Sequence, residues 1–534
     1  MVSSRHEKPP TTPAALDLRK SPRLILVTGA SWAALTWISW DLFGHDVAGP
    51  FGSLAMTLLS LLHAAWMLVW IWAIHNFWHQ LAGAVLPRNR LPQSDLNKNA
   101  PVAVLYLTCD DFDPVTCRSC LEQDHPTLRL IICDDSRQAS SRAAVDSWVA
   151  QCGQEVQISR RSNRRGFKAG NLNHAIENCV EEEFIVVCDA DEIIPTDFVS
   201  RLLGFFTAPS IAFVQASHEA RIDCATRFST ILGPTIKLFH DYCLAVRNRF
   251  GFVACFGHGV MIRKSAWRAV GGFPEIVSED LGFASRTLEQ GHRGLYAREV
   301  VAQEAFPPNY RAFIAKHAKI AGGTLEYFQK EFPRLLRSKE ARAVEKIDIL
   351  LTFSYCIGGL VTAANIVGAL SLSFIYDIQE QGRLALWILM FWLIGPLTPL
   401  VALVSELCQR PAQALRYLLT AAVAFVSLMP ILALRVIGQI TGRRAPSFEV
   451  TGAVALQPEP ILRYAAIATT GGCILLVSVM LGSPALAPLL LFSSMLLSGP
   501  LLTLVERDDA LGLLGRNCCV LPFITLACFL AWGP

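Results

Sequence analysis

The sequence predicts a water-soluble α/β domain inserted into an all-α, multi-pass membrane domain. Three observations lead to this fold class. The chain of 534 residues is 52% hydrophobic and only 17% charged, whereas charged residues make up about 25% of an ordinary soluble domain. Apolar stretches as long as a bilayer core lie towards both ends of the chain. Between them, short β-branched apolar runs alternate with helical stretches, which is the rhythm of a parallel sheet.

The amino-terminal part, residues 1–82, is predicted to hold a disordered polar start and two transmembrane helices. Residues 1–23 carry several prolines and basic side chains, which the positive-inside rule places in the cytoplasm. Residues 24–40 and 53–74 are each long enough to cross a bilayer. Because no small-residue cleavage site follows the first stretch, a retained span is favoured over a signal peptide. Residues 83–99 then form a polar linker in the cytoplasm.

Residues 100–310 are predicted to form the cytoplasmic α/β domain. Residues 102–107, 128–133 and 184–188 are short apolar runs of the kind found in buried strands. Cys117 and Cys120 form a lone Cys-x-x-Cys, so two free thiols on a helix are expected rather than a zinc site. The net charge of +3 gives no indication of a nucleic-acid partner.

The rest of the chain is predicted to return to the membrane. Residues 311–346 are amphipathic and suit interfacial helices, residues 347–407 contain two spans (347–375 and 384–407), and residues 460–534 contain three (461–481, 486–505 and 513–532). Between them, residues 408–459 are assigned to an interfacial helix and a loop. The apolar stretch 417–440 contains Pro430 and Arg435, so we interpret it as re-entrant or interfacial rather than spanning.

The basic pair Arg443 and Arg444 follows this stretch and is placed in the cytoplasm. The prediction is therefore about seven spans, with the amino terminus inside and the carboxyl terminus outside.

Paired acidic residues follow two of the predicted strands. Asp134 and Asp135 end the second strand, and Asp189 and Asp191 end the strand at 184–188. Ligands of open α/β sheets bind beyond the carboxyl ends of the strands. Two aspartates there can share a hard divalent cation whose remaining ligands are waters and a substrate phosphate. The alternative is a solvated strand-to-loop turn, in which aspartate is common.

Two further segments carry candidate chemistry. Lys168 lies on a glycine-containing basic loop before a helix, where a cation and free backbone N–H groups suit phosphates; a solvated basic loop is the alternative. Ser278, Glu279 and Asp280 precede another helical stretch, in which a carboxylate is either a helix cap or a general base. A sugar transfer needs a metal that neutralises the departing diphosphate and a carboxylate that takes the acceptor proton.

In their order and spacing, these motifs resemble the membrane-embedded family 2 glycosyltransferases, which include cellulose, hyaluronan and curdlan synthases. The resemblance covers residues 100–325 and includes the run Lys-Ala-Gly-Asn-Leu-Asn at 168–173. It extends to Phe448, Val450 and Thr451, which match the family's gating-loop motif F-x-V-T. It implies a GT-A-like (Rossmann-like) cytoplasmic domain in a protein of the bacterial inner (plasma) membrane.

The resemblance also implies a role for each matching residue. Asp134 contacts the uracil of a UDP-sugar, and Asp189 and Asp191 hold its diphosphate and Mg²⁺ or Mn²⁺. Asp280 is the general base of an inverting, single-displacement transfer. The other nucleotide-sugar residues are Asp135, Lys168 and Asn171, and those facing the acceptor or the diphosphate are His258, Glu279, Lys316 and Lys319.

One motif departs from the family. The family's Q-x-x-R-W aligns with residues 316–320, where Lys319 keeps a cation but lacks the bidentate fork of arginine. Ile320 offers no aromatic face for an acceptor sugar, and Tyr327 or Phe328 is the candidate substitute. The sequence leaves processivity and linkage open.

Three functions are therefore considered. The first is a processive synthase that polymerises a β-glycan, in the first instance a glucan, from a UDP-sugar and translocates it across the lipid bilayer. The second is a non-processive transfer of one sugar to a lipid-linked or oligosaccharide acceptor, which the altered residues 316–320 favour. The third is an inactive membrane scaffold or transporter, which the set of carboxylates opposes. No nucleic-acid partner is expected, and partner subunits are left unassigned.

Overall fold

The structure is a computed structural model that describes residues 20–43, 52–86, 91–153, 156–353, 357–373, 410–443, 461–481 and 487–532. Its centre is an eight-stranded sheet. The strands are β1 (Val102–Thr108), β2 (Leu128–Asp134), β3 (Val156–Ser159), β4 (Phe184–Asp189), β5 (Glu192–Ile193), β6 (Ile211–Ala220), β7 (Val260–Arg263) and β8 (Arg293–Glu304). The predicted span at 384–407 and the predicted gating-loop residues Phe448, Val450 and Thr451 lie outside the described residues.

The helices lie before, within and after this sheet. In chain order they are α1 (Arg23–Phe43), α2 (Gly52–Val85), α3 (Pro114–Leu121), α4 (Ala139–Gln151), α5 (Phe167–Asn178), α6 (Phe198–Leu203), α7 (Arg227–Leu232), α8 (Pro234–Leu238), α9 (Arg247–Phe250), α10 (Lys264–Ala269), α11 (Glu279–Glu289), α12 (Tyr310–Lys330), α13 (Phe332–Arg337), α14 (Ala343–Phe353), α15 (Gly358–Ser373), α16 (Pro411–Ile440), α17 (Ile461–Leu481), α18 (Ala487–Ser498), α19 (Ala510–Asn517) and α20 (Leu521–Trp532). Cys117 and Cys120 lie on α3 as buried free thiols, as predicted.

The strand order in the sheet is β3-β2-β1-β4-β7-β6-β8-β5. The first four strands in this order are parallel, as the sequence predicts. Beyond them, β7 runs antiparallel between β4 and β6, while β8 is parallel to β6 and antiparallel to β5. The sheet is therefore mixed, with the predicted β-α-β unit at one side.

The apolar runs of the central strands serve two cores. All residues of β1 are buried, and alternate residues contact opposite faces of the sheet: Ala103 and Leu105 belong to one core, and Val102 and Val104 to the other. A strand covered on both faces needs apolar side chains at successive positions. This is why the sequence shows continuous rather than alternating apolar runs here.

The register brings the two predicted acidic pairs to one edge of the sheet. On one side of β1, Thr108 pairs with Asp134 of β2. On the other side, Leu107 pairs with Asp189 of β4. The carboxyl ends of β2 and β4 therefore flank the end of β1, where a doubly wound sheet places its ligands.

Two helices of the described residues, α2 and α16, are long and apolar enough to cross a membrane, judged by length and composition. The predicted span at 347–375 is instead divided between α14 and α15, which are bent by 64° and together qualify as a third. Apolar helices of the predicted membrane part are therefore present, and the full count of seven spans stays a prediction.

Helix α16 bears on the prediction that residues 417–440 are re-entrant or interfacial. The stretch 417–440 is not re-entrant, because a single helix continues from Pro411 to Ile440 through Pro430. Its side chains contact helices that follow strands of the sheet, at widely separated points. Tyr417 shares a hydrogen bond with Thr235 of α8 (3.2 Å between the hydroxyls), and Gln439 donates one to the carbonyl of Gly322 in α12 (3.1 Å).

These two contacts are 22 residues apart on α16, which is about 33 Å along a helix. A helix that runs perpendicular to a membrane surface can contact a domain on that surface only through the few turns nearest to it. The contacts thus favour the interfacial alternative, although length and hydropathy alone satisfy the requirements of a span.

The carboxyl-terminal helices also return to the sheet domain. The loop between the 3₁₀ helix Gly499–Leu504 and α19 carries Glu506, whose carboxylate accepts hydrogen bonds from the backbone N–H groups of Arg227 (3.2 Å) and Phe228 (2.7 Å). Arg227 in turn pairs with Asp508 at 2.5 Å. A glutamate at the amino end of α7 satisfies N–H groups that lack partners within the helix. This loop and α7 therefore lie on the same side of any membrane.

Adjacent glycines in α15 give a matched test of its packing. A Cβ at Gly359 would lie 2.6 Å from the backbone of α16, whereas a Cβ at Gly358 would have nothing within 4 Å. We expect Gly359→Ala to destabilise the protein by about 1–3 kcal/mol through overpacking. Gly358→Ala should be neutral or slightly stabilising, since alanine is the better helix former. Thermal unfolding in detergent measures both, and equal melting temperatures for the two variants would contradict the packing described.

Candidate active site

The end of β4 places a lysine between carboxylates. Lys168, from the first turn of α5, lies with its Nζ 2.7 Å from Oδ1 and 2.9 Å from Oδ2 of Asp189. Burial, together with the charges of Asp189 and Glu304, raises the pKa of Asp191 to about 7. The position thus holds more negative charge than the nearby lysine alone neutralises.

Helix α11 brings two further carboxylates to the same lysine. Ser278 occupies the N-cap position, so Glu279 and Asp280 lie in the first turn of α11 rather than capping it. Burial alone would lower the pKa of Lys168, but the charges of Asp189, Glu279 and Asp280 raise it. Lys168 is therefore shared by both acidic groups. We call Asp189, Asp191, Glu279, Asp280 and Lys168 the acidic site.

Burial changes the proton affinity of the α11 carboxylates. It raises the pKa of Asp280, and burial with the charge of Asp280 raises the pKa of Glu279 to about 8. A carboxylate whose pKa approaches neutrality is a better proton acceptor at neutral pH than an ordinary one. The environment of α11 therefore suits general base chemistry.

A glycine-rich turn before β7 contacts Asp280. Gly257 has a φ of +73°, and a Cβ there would lie 3.2 Å from the Cβ of Asp280. Glycine is thus required both by the left-handed backbone and by the close approach. The next residue, His258, has its Nδ1 3.5 Å from Oε1 of Glu192 and its Nε2 3.3 Å from Oε2 of Glu304.

Glu192 anchors what we call the histidine network, formed by Glu192, His218, His258 and Glu304. His218 Nε2 lies 2.8 Å from Oε1 of Glu192, and the N–H of Gly259 donates to Oε2 at 3.0 Å. Ligand atoms of Glu192, His218 and His258 lie within 4.8 Å of one another, so these residues also have the composition of a metal site. Because the Glu192 carboxylate already accepts hydrogen bonds at both oxygens, we interpret the network as holding His258 in place.

The histidine network determines the protonation state of His258 and Glu192 as well as the position of His258. Burial alone would lower the pKa of His258, but its hydrogen bond to Glu192 and the charges of Glu192 and Glu304 raise it to about 9. Burial alone would raise the pKa of Glu192, yet its hydrogen bonds with His218 and His258 lower it to about 2. His258 is therefore a cation beside the acidic site.

Helix α12 adds two lysines to the site. Lys316 Nζ lies 3.6 Å from Oε1 of Glu304. Burial and the charge of Lys168 lower the pKa of Lys319, and Glu279 opposes this effect. Lys316 and Lys319 are therefore both within electrostatic reach of the acidic site.

The aromatic substitute expected from the sequence is wrong for Tyr327. Its side chain is fully buried, and its hydroxyl shares a 2.6 Å hydrogen bond with Ser285. Tyr327 thus belongs to the core between α11 and α12 and offers no exposed face to a sugar. Ile320 is 40% exposed, as an aliphatic side chain on the surface of α12.

Helix α12 also sets the position of the segment before Asp280. A Cβ at Gly323 would lie 2.6 Å from Oγ of Ser278. Nearby, the buried Glu326 accepts a hydrogen bond from the backbone N–H of Val277 at 2.9 Å. The backbone leading into α11 therefore rests directly on α12.

The acidic pair after β2 has partners that the sequence analysis did not assign. Arg160 donates to Oδ2 of Asp134 at 2.7 Å, and Arg161 donates to both oxygens of Asp135 at 2.9 and 2.5 Å. Burial alone would raise the pKa of Asp134, but hydrogen bonds from Ser136 and Arg160 lower it. Both carboxylates are thus held in ion pairs at the edge of the sheet.

Asn171 is positioned by the backbone of β2. Its amide donates to the carbonyl of Cys133 at 3.1 Å, and its side chain is buried. This bond ties α5 to the end of β2 and so holds Lys168 near Asp189.

The structure places most of the predicted site residues around Lys168 and three of them at the end of β2. The residues around Lys168 are Asp189, Asp191, Glu279, Asp280, His258, Lys316 and Lys319, and those at the end of β2 are Asp134, Asp135 and Asn171. Sequence reasoning missed Glu192, His218, Glu304, Arg160 and Arg161. The arginines belong to the basic loop that the sequence does show, and Glu192 directly follows Asp191, but no motif marks His218 or Glu304.

Comparison with known proteins gives three consistent findings. Residues 184–437 match the family model described as "Glycosyl transferase family group 2". Glucomannan 4-beta-mannosyltransferase 2 of Arabidopsis thaliana is 26% identical over 245 residues, which cover 43% of this chain and 45% of the relative. Cellulose synthase 2 of Novacetimonas hansenii is 26% identical over 262 residues, or 47% of this chain and 16% of the relative. The chain thus spans less than half the length of these curated relatives.

A solved structure shares the fold. Mannosyltransferase PcManGT from Pyrobaculum calidifontis, in complex with GDP-Man and Mn²⁺, superposes with a TM-score of 0.50 at 16% identity, covering 73% of this chain and 99% of that one. The mixed sheet is therefore GT-A-like, as the sequence resemblance implied.

The histidine network predicts a pH dependence of stability. The pKa of His258 is raised from 6.5 to about 9 on folding, so its contribution is complete below pH 6.5 and is lost as the pH rises through about 9. The pKa of Glu192 is lowered from 4.5 to about 2, so its contribution is complete above pH 4.5. We expect His258→Gln to lower the melting temperature most between pH 4.5 and 6.5 and least above pH 9. The control is His125→Gln, outside the network, and a pH-independent difference for His258→Gln would contradict the assignment.

Proposed function

We propose that this family 2, polysaccharide synthase-like glycosyltransferase transfers a hexose from a nucleoside diphosphate sugar to a growing β-glycan, with inversion. The family match confirms the resemblance inferred from the sequence. The observation that carries the reaction itself is the ion pair of Lys168 with Asp189 at 2.7 Å, within the electrostatic reach of Asp280. Residues that lie more than 90 positions apart in the chain thereby meet in one site with both a phosphate-binding and a proton-accepting group.

The donor diphosphate fits beside Lys168. The ammonium group and the amino end of α5 are the partners that phosphates prefer. Lys316 and Lys319 supply further positive charge to the departing diphosphate. The donor is a UDP-sugar by the resemblance of the motifs, whereas the similarity to a glucomannan mannosyltransferase favours mannose. We therefore propose glucose or mannose as the transferred hexose.

The residues present fit a hard divalent cation, Mg²⁺ or Mn²⁺. Asp189 and Asp191 offer only oxygen ligands, and burial with the charges of Asp189 and Glu304 raises the pKa of Asp191, an effect that such a cation would oppose. When bound, the cation neutralises charge on the leaving diphosphate. The archaeal structure with the same fold contains Mn²⁺.

Asp280 is proposed as the general base. The acceptor hydroxyl attacks the anomeric carbon and gives its proton to the Asp280 carboxylate, while the bond from that carbon to the diphosphate oxygen breaks. A single displacement of this kind inverts the anomeric configuration. His258 lies beside Asp280 as a hydrogen-bond donor and orients the acceptor sugar.

The residues expected to face the acceptor sugar support a second candidate function. Processive synthases of the family resembled here hold the acceptor sugar on an aromatic face, but this chain has Ile320 at that position and buries Tyr327 in the core. This favours transfer of one sugar to a lipid-linked or oligosaccharide acceptor. The apolar helices and the interfacial placement of α16 favour the processive synthase instead.

The membrane arrangement is proposed to follow the contacts of the sheet domain. Glu506 and α7 lie on one side, and α16 lies along the same domain. With α16 interfacial, the sheet domain and the loop at 506–509 are both cytoplasmic. The localisation proposed is a bacterial inner membrane, with lipid as the surrounding partner.

Substitution of Asp280 separates chemistry from binding. We expect Asp280→Asn to lower kcat by about 10²–10⁴-fold, since a general base contributes that much, while donor nucleotide affinity changes little. Glu275→Gln is the matched control, because Glu275 is an exposed carboxylate in the preceding segment. Nucleotide release and titration calorimetry measure the two quantities, and full activity of Asp280→Asn would remove Asp280 as the base.

A donor panel distinguishes the functions. Purified full-length protein is incubated with labelled UDP-glucose, UDP-N-acetylglucosamine and GDP-mannose, with Mg²⁺ or Mn²⁺ and then with a chelator. We expect transfer from UDP-glucose or GDP-mannose that stops when the chelator is added. Long polymer identifies a processive synthase and a one-sugar product identifies the second function. No turnover and no nucleotide release with any donor would contradict both and leave the inactive scaffold.

A further inference from the structure

A second group of possible ligands lies outside the acidic site, where α2 meets the sheet domain. His75 and His79 are one helical turn apart on α2, and Asp348 lies on α14. All three side chains are buried, and their ligand atoms lie within 4.8 Å of one another. His75 Nε2 is 2.7 Å from Oδ1 of Asp348, and His79 Nε2 is 3.7 Å from the same oxygen. We call these residues the α2 cluster.

The hydrogen bonds of His79 define which ring nitrogen is free. Its Nδ1 lies 2.9 Å from the carbonyl oxygen of His75. A carbonyl only accepts hydrogen bonds, so Nδ1 carries the proton and Nε2 of a neutral ring presents a lone pair. Within the described part of the chain, this Nε2 is buried and has no hydrogen-bond partner. Two electron pairs, on His79 Nε2 and Asp348 Oδ1, therefore face each other in the protein interior, 3.7 Å apart.

Hydrogen bonds to the other oxygen of Asp348, Oδ2, hold its carboxylate in this orientation. Its Oδ2 accepts hydrogen bonds from Arg247 Nε at 3.1 Å and from the backbone N–H of Phe252 at 2.7 Å. A Cβ at Gly251 would collide with Oδ2, so a glycine permits the close approach. Oδ1 faces the two histidines and also accepts a hydrogen bond from Thr352 Oγ1 at 3.1 Å. Metal-binding carboxylates and imidazoles are characteristically held by such outer hydrogen bonds.

We propose that the α2 cluster binds a divalent transition metal of the zinc class through His75 Nε2, His79 Nε2 and Asp348 Oδ1. Zinc takes nitrogen and oxygen ligands at about 2.0–2.2 Å in tetrahedral geometry, which places the ligand atoms roughly 3.3 Å apart. The observed separations of 2.7 and 3.7 Å lie on either side of this value. Imidazole ligands favour zinc, copper and nickel over the magnesium class of cation.

The bound metal acts as a clasp between α2 and α14, and Asp348 links it onward to the sheet domain. Its ligands come from α2, a helix long and apolar enough to span a membrane, and from α14. Through Asp348, the site is connected to α9 and to the segment containing Phe252. Removal of the metal therefore loosens the attachment of α2 without touching the residues of the acidic site.

Cobalt is the probe for the site, because tetrahedral Co²⁺ has a visible spectrum that reports coordination independently of activity. Full-length protein in detergent is stripped with a chelator, titrated with Co²⁺ and analysed for bound metal. We expect the tetrahedral spectrum at one equivalent per chain, lost in His79→Gln and retained in His63→Gln, which replaces a buried histidine about four turns earlier on α2. Asp191→Asn should retain it too, since the acidic site is separate.

A second variant tests whether a loss of Co²⁺ binding in His79→Gln is caused by misfolding. His79→Cys keeps a ligand for the metal, so it should bind Co²⁺ and add a thiolate-to-cobalt absorption band in the near ultraviolet. The proposal is overturned if the wild type shows no tetrahedral Co²⁺, or if His79→Gln keeps the same spectrum. It is also overturned if His79 proves to be a protonated imidazolium in metal-free protein that does not take up Co²⁺.

Discussion

Neutralisation of buried negative charge is the constraint on which the sheet domain depends. The carboxyl ends of β2 and β4, with the first turn of α11, gather carboxylates at one edge, and such groups are tolerated away from water only when they are paired. Lys168 balances Asp189 and the α11 carboxylates, while Arg160 and Arg161 balance the pair after β2. The remaining excess of negative charge around Asp191 is what prepares the site for a cation and a charged substrate.

Helix α12 connects this chemistry to the apolar helices. One of its faces contributes Lys316 and Lys319 to the site, and Gly323 supports the backbone that leads to Asp280. Its carbonyl at Gly322 receives a hydrogen bond from α16. A displacement of α16 along the sheet domain would therefore reach Asp280 through a few direct contacts, with small residues allowing the helices to approach closely.

The sequence predicted the acidic site well because its members carry local signals. Asp189 and Asp191 lie at the end of a buried strand, and Asp280 lies at the start of a helix. The pattern of apolar residues predicts that strand and that helix, and so predicts the position of each aspartate in the fold. The mixed part of the sheet and the histidine network were not predictable, since His218 and Glu304 are isolated polar residues in long strands and meet only through the register of β6 and β8. Tyr327 was misjudged because an aromatic residue on an amphipathic helix carries no indication of which face is covered.

The contact between Glu506 and α7 has a consequence for how the protein is made. Translation reaches Glu506 nearly 280 residues after Arg227, when the sheet domain has already left the ribosome. Until then the first N–H groups of α7 lack that carboxylate. The nascent chain therefore completes this part of its surface only once the loop that carries Glu506 has been synthesised, so the order of synthesis delays completion of the sheet domain until the apolar helices before that loop exist.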